Sequence, residues 1–356
     1  MNPYEGQKVL WHQDKILELR QGKQPVPVRA HLVVSDLCNQ NCSFCSYRMD
    51  GHPSNQLFKN EQDKNPNNPN RMISREKATE IIIDLADLGV KAIEFQGGGE
   101  PTVHPDLPDL MQTALVHGMD IALVTNGVLI NERLLRVLPS ASWVRFSLDA
   151  GRPETYARVR ESSPSVFDKV KSNIAKLVKA RRSFNTVVIG VGFVVTRDTL
   201  HEMIEGARIA KELGADLIRF SPVFGEPEEV QLSYLDQAAG MADFVARTYG
   251  DDRFKVYNLM RKRYEKPDHH FCAYQHFTTY IGADLNVYRC CLTAYNERGL
   301  IGSIKEQTFR ELWESQAKEE GMRGFDATGC GPCRFNEANR VVNYILDDPP
   351  NHVNYV

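Results

Sequence analysis

The residues of greatest chemical interest in this 356-residue chain are eight cysteines, which fall into two groups. Cys38, Cys42 and Cys45 lie near the start with spacing C-x3-C-x2-C. Cys272, Cys290, Cys291, Cys330 and Cys333 lie near the end, and none falls between Cys45 and Cys272. Eight cysteines scattered at random would produce the first spacing in about four chains per thousand, so chance does not explain it. Three thiolates on one short loop suit a [4Fe–4S] cluster with one iron left without a protein ligand. Structural zinc is the rival, but it asks for a fourth ligand nearby. The closest upstream histidine, His31, sits inside a strand-like run. An open iron is a functional feature, because something other than the protein completes it.

Cys272, Cys290 and the pair Cys330-Gly-Pro-Cys333 read as a four-thiolate set. Four protein ligands would fill every iron of one cluster, which would then carry electrons rather than bind substrate. Zinc is the rival here too. Cys291 is left over. It reads as an alternative ligand to Cys290, as a hydrogen-atom donor or, on the favoured reading, as a small buried apolar residue.

Composition narrows the setting. With 42% apolar and 25% charged residues the chain is ordinary globular protein, enough for one large domain plus a small one. A net charge of −3 gives no general attraction to nucleic acid or membrane. The start, Met1-Asn2-Pro3-Tyr4-Glu5, lacks the layout of a signal peptide, and the apolar run Val187 to Val195 is of strand length rather than span length. Clustered cysteines without a secretory signal argue for metal rather than disulfides. A cytoplasmic protein with no membrane partner is expected.

The elements that must hold these cysteines repeat a β-α pattern. Strand-like runs occur at Val28–Ser35, Lys91–Phe95, Ile121–Thr125, Trp143–Leu148, Val187–Val195 and Leu217–Phe220. A helix capped by Ser74 and stopped by Gly89 presents Ala78, Ile81, Ile82, Leu85 and Leu88 on one face. Six such units predict a partial (β/α)6 TIM-like barrel with chemistry at the C-terminal strand ends, where the first cysteines fall. The expected organisation is an N-terminal extension (1–27), the barrel (28–225), a helical linker (226–270), a small cysteine-rich α+β domain (271–340) and a tail (341–356). Within the barrel, 49–73 is an Asn/Pro/Asp-rich insert long enough for a lid or recognition loop.

The cysteine loop after the first strand, with aromatic Phe44 before its last cysteine, resembles the radical S-adenosylmethionine (SAM) superfamily. The resemblance implies that SAM completes the open iron. Reductive cleavage of SAM would then yield a 5′-deoxyadenosyl radical that takes a hydrogen atom from substrate. An external one-electron reductant of the flavodoxin or ferredoxin kind is implied with it. Further segments agree. Gly97-Gly98-Gly99-Glu100-Pro101 looks like the family's glycine-rich segment, whose carboxylate can hold the SAM ammonium. Thr125-Asn126-Gly127 matches a family turn. Ser147-Leu148-Asp149 is similar to the segment that meets ribose or substrate. Arg160, with Arg158 as competitor, sits where a cation for the SAM carboxylate is common. The run from Ile281 to Cys290, then Gly302-Ser-Ile and Leu312-Trp313, resembles SPASM and Twitch domains, which implies one auxiliary [4Fe–4S] cluster rather than zinc.

Substrate is less legible. The leading expectation is a small polar, sugar- or nucleotide-like molecule that is oxidised, epimerised or rearranged. One alternative is an aminomutase-type change of a base in nucleic acid, drawn from the basic and aromatic stretch Arg253 to Lys266. Another is peptide maturation, and a non-enzymatic iron–sulfur electron carrier is the last. His104, Glu94 and Tyr47 lie near strand ends but read as structural, so no general acid or base is assigned.

Overall fold

All six β-branched runs become neighbouring parallel strands, and the sheet then continues past them at both edges. The computed structural model describes residues 4–48, 71–181, 187–261 and 265–348. Its strands are β1 (Arg29–Leu32), β2 (Ala92–Phe95), β3 (Asp120–Thr125), β4 (Trp143–Ser147), β5 (Val188–Val195), β6 (Leu217–Pro222), β7 (Lys255–Asn258), β8 (Thr278–Ile281), β9 (Asn286–Tyr288) and β10 (Leu300–Ser303). They form one sheet in the order β10-β9-β8-β1-β2-β3-β4-β5-β6-β7. Every pairing from β8 to β7 is parallel, while β9 and β10 add an antiparallel edge.

One strand and one pairing were not legible. β7 arises within 226–270, a stretch read as helical connection, because four residues of mixed polarity carry little periodic signal. β8 belongs to the cysteine-rich region yet pairs directly with β1, Ala30 beside Thr279. The second cysteine group is thereby built onto the sheet edge next to the strand that leads into the first.

The helices are α1 (Gln13–Arg20), α2 (Arg75–Leu88), α3 (Leu107–Val116), α4 (Glu132–Val137), α5 (Pro153–Arg160), α6 (Pro164–Ala180), α7 (Met203–Glu212), α8 (Glu228–Tyr249), α9 (Phe309–Trp313), α10 (Gln316–Arg323) and α11 (Asn336–Leu346). α2 shows the logic. The Ser74 side chain accepts the Lys77 amide, Ala78, Ile81, Ile82 and Leu85 are buried, and Gly89 ends the helix in the left-handed region at φ 93°. Each buried isoleucine or leucine contributes about 1.5–3 kcal/mol. In β5 the alternate residues Ile189, Val191, Phe193 and Val195 join the same core.

The N-terminal end of the barrel is stoppered. Gly6–Trp11 forms a 3-10 turn, and Val9 packs with Ile16, Ala273, Phe277, Ala338 and Val342 in a small second core. Tyr4 lies edge-on to Tyr257 at 5.2 Å and under the Arg219 guanidinium at 5.4 Å. Above this stopper the barrel keeps a lumen of about 990 Å³. None of the described helices is long and apolar enough to cross a membrane.

Candidate active site

The first cysteine loop is held from several strand ends at once. Gly99 N donates to Ser35 O (3.1 Å) and Glu100 N to Leu37 O (3.0 Å), which docks the glycine-rich segment on the entrance to the loop. Only glycine fits at 99, since a Cβ there would lie 2.3 Å from Leu37 O. The Glu100 carboxylate, 3% exposed, accepts from Thr102 N, Thr102 Oγ1, Thr125 Oγ1 and Asn126 N at 2.6–3.1 Å. Burial pushes this acid up, and the donors counter it. Both Glu100 oxygens are thus engaged within the protein, clamping the β2 and β3 ends together. Asn126 Nδ2 reaches on to Asn39 Oδ1 at 2.7 Å, inside the loop.

From the other side the loop is tied to α5. Arg160 is buried and pairs with Asp149. It also donates to Gln40 Oε1 (3.0 Å), Ser147 O (2.8 Å) and Cys42 Sγ (3.5 Å). Its guanidinium lies 5.7 Å from the centre of the Phe44 ring. Arg158, the competing candidate, is exposed. Asp149 holds a left-handed φ of 55° and accepts Val194 N at 2.6 Å, so this strained residue braces the β4 and β5 ends. Phe44 lines a second cavity of about 200 Å³ with Thr196, Arg197, Asp198, Val223 and Glu226. These last residues went unnoticed in the sequence. Their one signal is position, just past the ends of β5 and β6.

The three thiols fit an iron–sulfur cluster. Cys38, Cys42 and Cys45 are half-buried and free; burial and neighbouring thiols push Cys38 and Cys42 up, Cys45 acting on both and Cys38 on Cys42. Burial pushes Cys42 up to about 12 despite the neighbouring Arg160. Such a thiol gives up its proton to a metal rather than to water. Arg160 at Cys42 and Arg48 Nη1 at Cys45 Sγ (3.4 Å) supply donors to the sulfurs. Arg48, Asn39 and Gln40 were also missed, because a single polar residue on a loop carries no periodic signal.

The second group brings its thiols within electrostatic reach of one another. Cys272 feels Cys290, Cys333 and Cys330 electrostatically, with burial its main influence. Thr293 Oγ1 sits 3.5 Å from Cys290 Sγ, and Phe335 N donates to Cys333 Sγ at 3.4 Å. Arg289, 6% exposed, places its cation beside Cys272, Cys290 and Cys330, where it would offset thiolate charge. Cys291 lines the lumen, where burial lifts it to about 11 and Arg334, Cys290, Arg29 and Glu94 act on it, and it acts in turn on Cys333.

The lumen opens between the two groups. Ser46 and Tyr47, just after Cys45, lie on its wall, as do Cys291, Leu292 and Arg334 beside the second group. Glu94 and Tyr47 therefore face the lumen, whereas His104 is structural, its Nε2 bonded to Ile73 O at 2.8 Å. Gly98 is buried behind the loop. The insert at 49–73 falls outside the described residues except for 71–73, as do Lys262, Arg263 and Tyr264 of the basic stretch. Within the described part of that stretch, Arg261 pairs with Asp243 (2.7 Å) and Lys255 with Asp252 (3.7 Å), a solvated charged face.

Comparison with known proteins fits this geometry. Residues 32–207 match the model of the Radical SAM superfamily, and residues 272–335 match the SPASM iron–sulfur cluster-binding domain. The AdoMet-dependent heme synthase of Methanosarcina barkeri is 23% identical over 331 residues, covering 84% of this chain and 86% of that protein. The mycofactocin maturase MftC of Mycobacterium tuberculosis is 26% identical over 281 residues, covering 75% and 70%. Among solved structures, Streptococcus suis SuiB bound to precursor peptide SuiA shares the fold with a TM-score of 0.64. It is 15% identical and covers 98% of this chain and 79% of that one.

Proposed function

This chain belongs to the radical SAM superfamily and carries a SPASM domain, and on that premise we propose that it is a peptide-modifying radical enzyme. The observation that carries the reading is the lumen of about 990 Å³, whose wall joins the residues after Cys45 to those beside Cys290 and Cys333. A substrate seated there lies between the radical source and the electron carrier. The small sugar- or nucleotide-like substrate expected from sequence is not what the two relatives given above favour. One of them is named a maturase, and SuiB, which shares the fold, is bound to a precursor peptide.

Cys38, Cys42 and Cys45 would hold the SAM-binding [4Fe–4S] cluster, and Cys272, Cys290, Cys330 and Cys333 one auxiliary cluster. When bound and reduced by an external one-electron donor, cluster and SAM supply the 5′-deoxyadenosyl radical. The protein's own part is positional. Glu100 and Asn126 set the β2 and β3 ends, Arg160 and Asp149 set the cluster loop against β4, and Phe44 walls the cavity at the β5 and β6 ends. Tyr4, packed on Tyr257, lines the lumen from below.

The test is 5′-deoxyadenosine release by anaerobically reconstituted, dithionite-reduced protein challenged separately with peptides, small metabolites and nucleic acid. Release stimulated by a peptide that returns with altered mass supports the reading. Stimulation by small metabolites or nucleic acid alone overturns the peptide assignment.

A further inference from the structure

Strand alternation places a band of charge halfway up the lumen. His31 of β1 stands beside Glu94 of β2 in register, and Arg145 of β4 and Arg219 of β6 act on Glu94 across the barrel. Glu94 is already matched by Arg29, whose Nη1 lies 3.1 Å from Oε2. Six lysines and arginines but only three carboxylates line the whole lumen among the described residues.

Two groups in this band are left with capacity. Arg145 makes no ion pair among the described residues and rests on the Trp143 ring at 5.5 Å. The His31 side chain is 4% exposed, and its Nε2 has no hydrogen-bond partner. The Gln96 amide nitrogen contacts the other ring nitrogen, Nδ1. With Gln96 donating there, the imidazole proton sits on Nε2, making it a buried donor in a residue of the cavity wall. A buried donor without a partner is costly, roughly 1–3 kcal/mol, and a ligand that accepts from it recovers that cost.

We propose that this band seats an anionic group of the substrate, a carboxylate or a phosphate, between the Arg145 guanidinium and the His31 Nε2–H. The assignment rests on the lumen being the substrate site, as argued above, and adds the charge the substrate must carry. Arg219 supplies long-range attraction from the opposite wall, while the Glu94–Arg29 pair keeps the band from closing on itself. A peptide would meet it with an acidic side chain or its C-terminal carboxylate.

The test is calorimetric titration of cluster-loaded protein with citrate and, separately, with pyrophosphate at constant ionic strength. Arg145→Gln, Arg145→Lys and, as a distant control, Lys169→Gln on exposed α6 are compared with the native protein. Saturable binding is expected, weakened at least tenfold (about 1.4 kcal/mol) in Arg145→Gln, partly restored in Arg145→Lys and unchanged in Lys169→Gln. Citrate preferred over pyrophosphate identifies a carboxylate; the reverse identifies a phosphate, which keeps the anion site but counts against a peptide. Absence of binding to either anion, or equal binding in native protein and Arg145→Gln, overturns the proposal. Neither of those results touches peptide-stimulated 5′-deoxyadenosine release, so the two readings fail separately. A native-like thermal transition in Arg145→Lys excludes misfolding as the cause.

Discussion

The two cysteine regions solve the same problem by opposite routes. Cys38, Cys42 and Cys45 share one eight-residue loop, so chain connectivity alone keeps their thiols close. The tertiary structure then only orients that loop, through Arg160 from α5 and Asn126 from the turn after β3. Cys272, Cys290, Cys330 and Cys333 are drawn from separate segments, and their meeting depends on longer-range contacts. These include the Phe271–Asp326 bridge, Cys333 N bonded to Glu265 O at 2.9 Å, and the β8–β1 pairing. A local site tolerates loss of distant packing; an assembled one does not.

The strongest break of this comparison is Cys42→Ala. It is expected to reduce 5′-deoxyadenosine release to background, whereas Cys290→Ala should lower auxiliary iron while SAM cleavage persists without completed product. Iron content and 5′-deoxyadenosine assayed side by side decide it, and loss of cleavage in both variants would mean the regions do not act separately. Next comes Arg160→Gln, which leaves Asp149 buried without its cation. Breaking such a pair costs roughly 3–5 kcal/mol, so a lowered thermal midpoint is expected along with impaired cleavage. A midpoint equal to native would show that the loop does not depend on α5.

The adjacent pair sharpens the contrast further. Cys290→Ser is expected to lose auxiliary iron and Cys291→Ser to retain it, read by iron analysis of the reconstituted proteins. The reverse result would exchange their roles.

The smallest effect concerns pH. Each region holds a buried histidine, His31 by the first and His276 by the second, and burial depresses both to about 3. The unfolded chain protonates near pH 6.5 while the folded chain refuses the proton. Stability is therefore full above about 6.5 and falls as pH drops toward 3. His276→Phe, keeping the stack on Phe271, should shrink the loss between pH 7 and 5.5 by roughly 1 kcal/mol. Thermal midpoints across that range test it, and an unchanged slope would mean His276 takes its proton in the fold.

Much of the site was legible because its signals are local. Ser74 and Gly89 bound α2 as their chemistry requires, and Gly98, Gly99 and Glu100 follow β2 at a strand end. Roles read from the same residues were less secure. Glu100, expected to face the SAM ammonium, directs both oxygens at backbone and threonine donors from β3 and its own turn. Arg160 and its competitor Arg158 lie one helical half-turn apart, and burial separates them, Arg160 inside and Arg158 exposed. β7 and the β8–β1 pairing escaped notice, because short strands declare their partners only when the sheet forms.

Sequence alone determined that three thiols would crowd one loop after a strand and that parallel β-α units would surround it, since spacing and periodicity act over a few residues. That Cys291 of the Cys290–Cys291 pair lines the lumen was decided by tertiary structure. So was the band of His31, Glu94, Arg145 and Arg219. The four residues of that band come from four different strands, and only closure of the sheet turns their side chains toward one cavity.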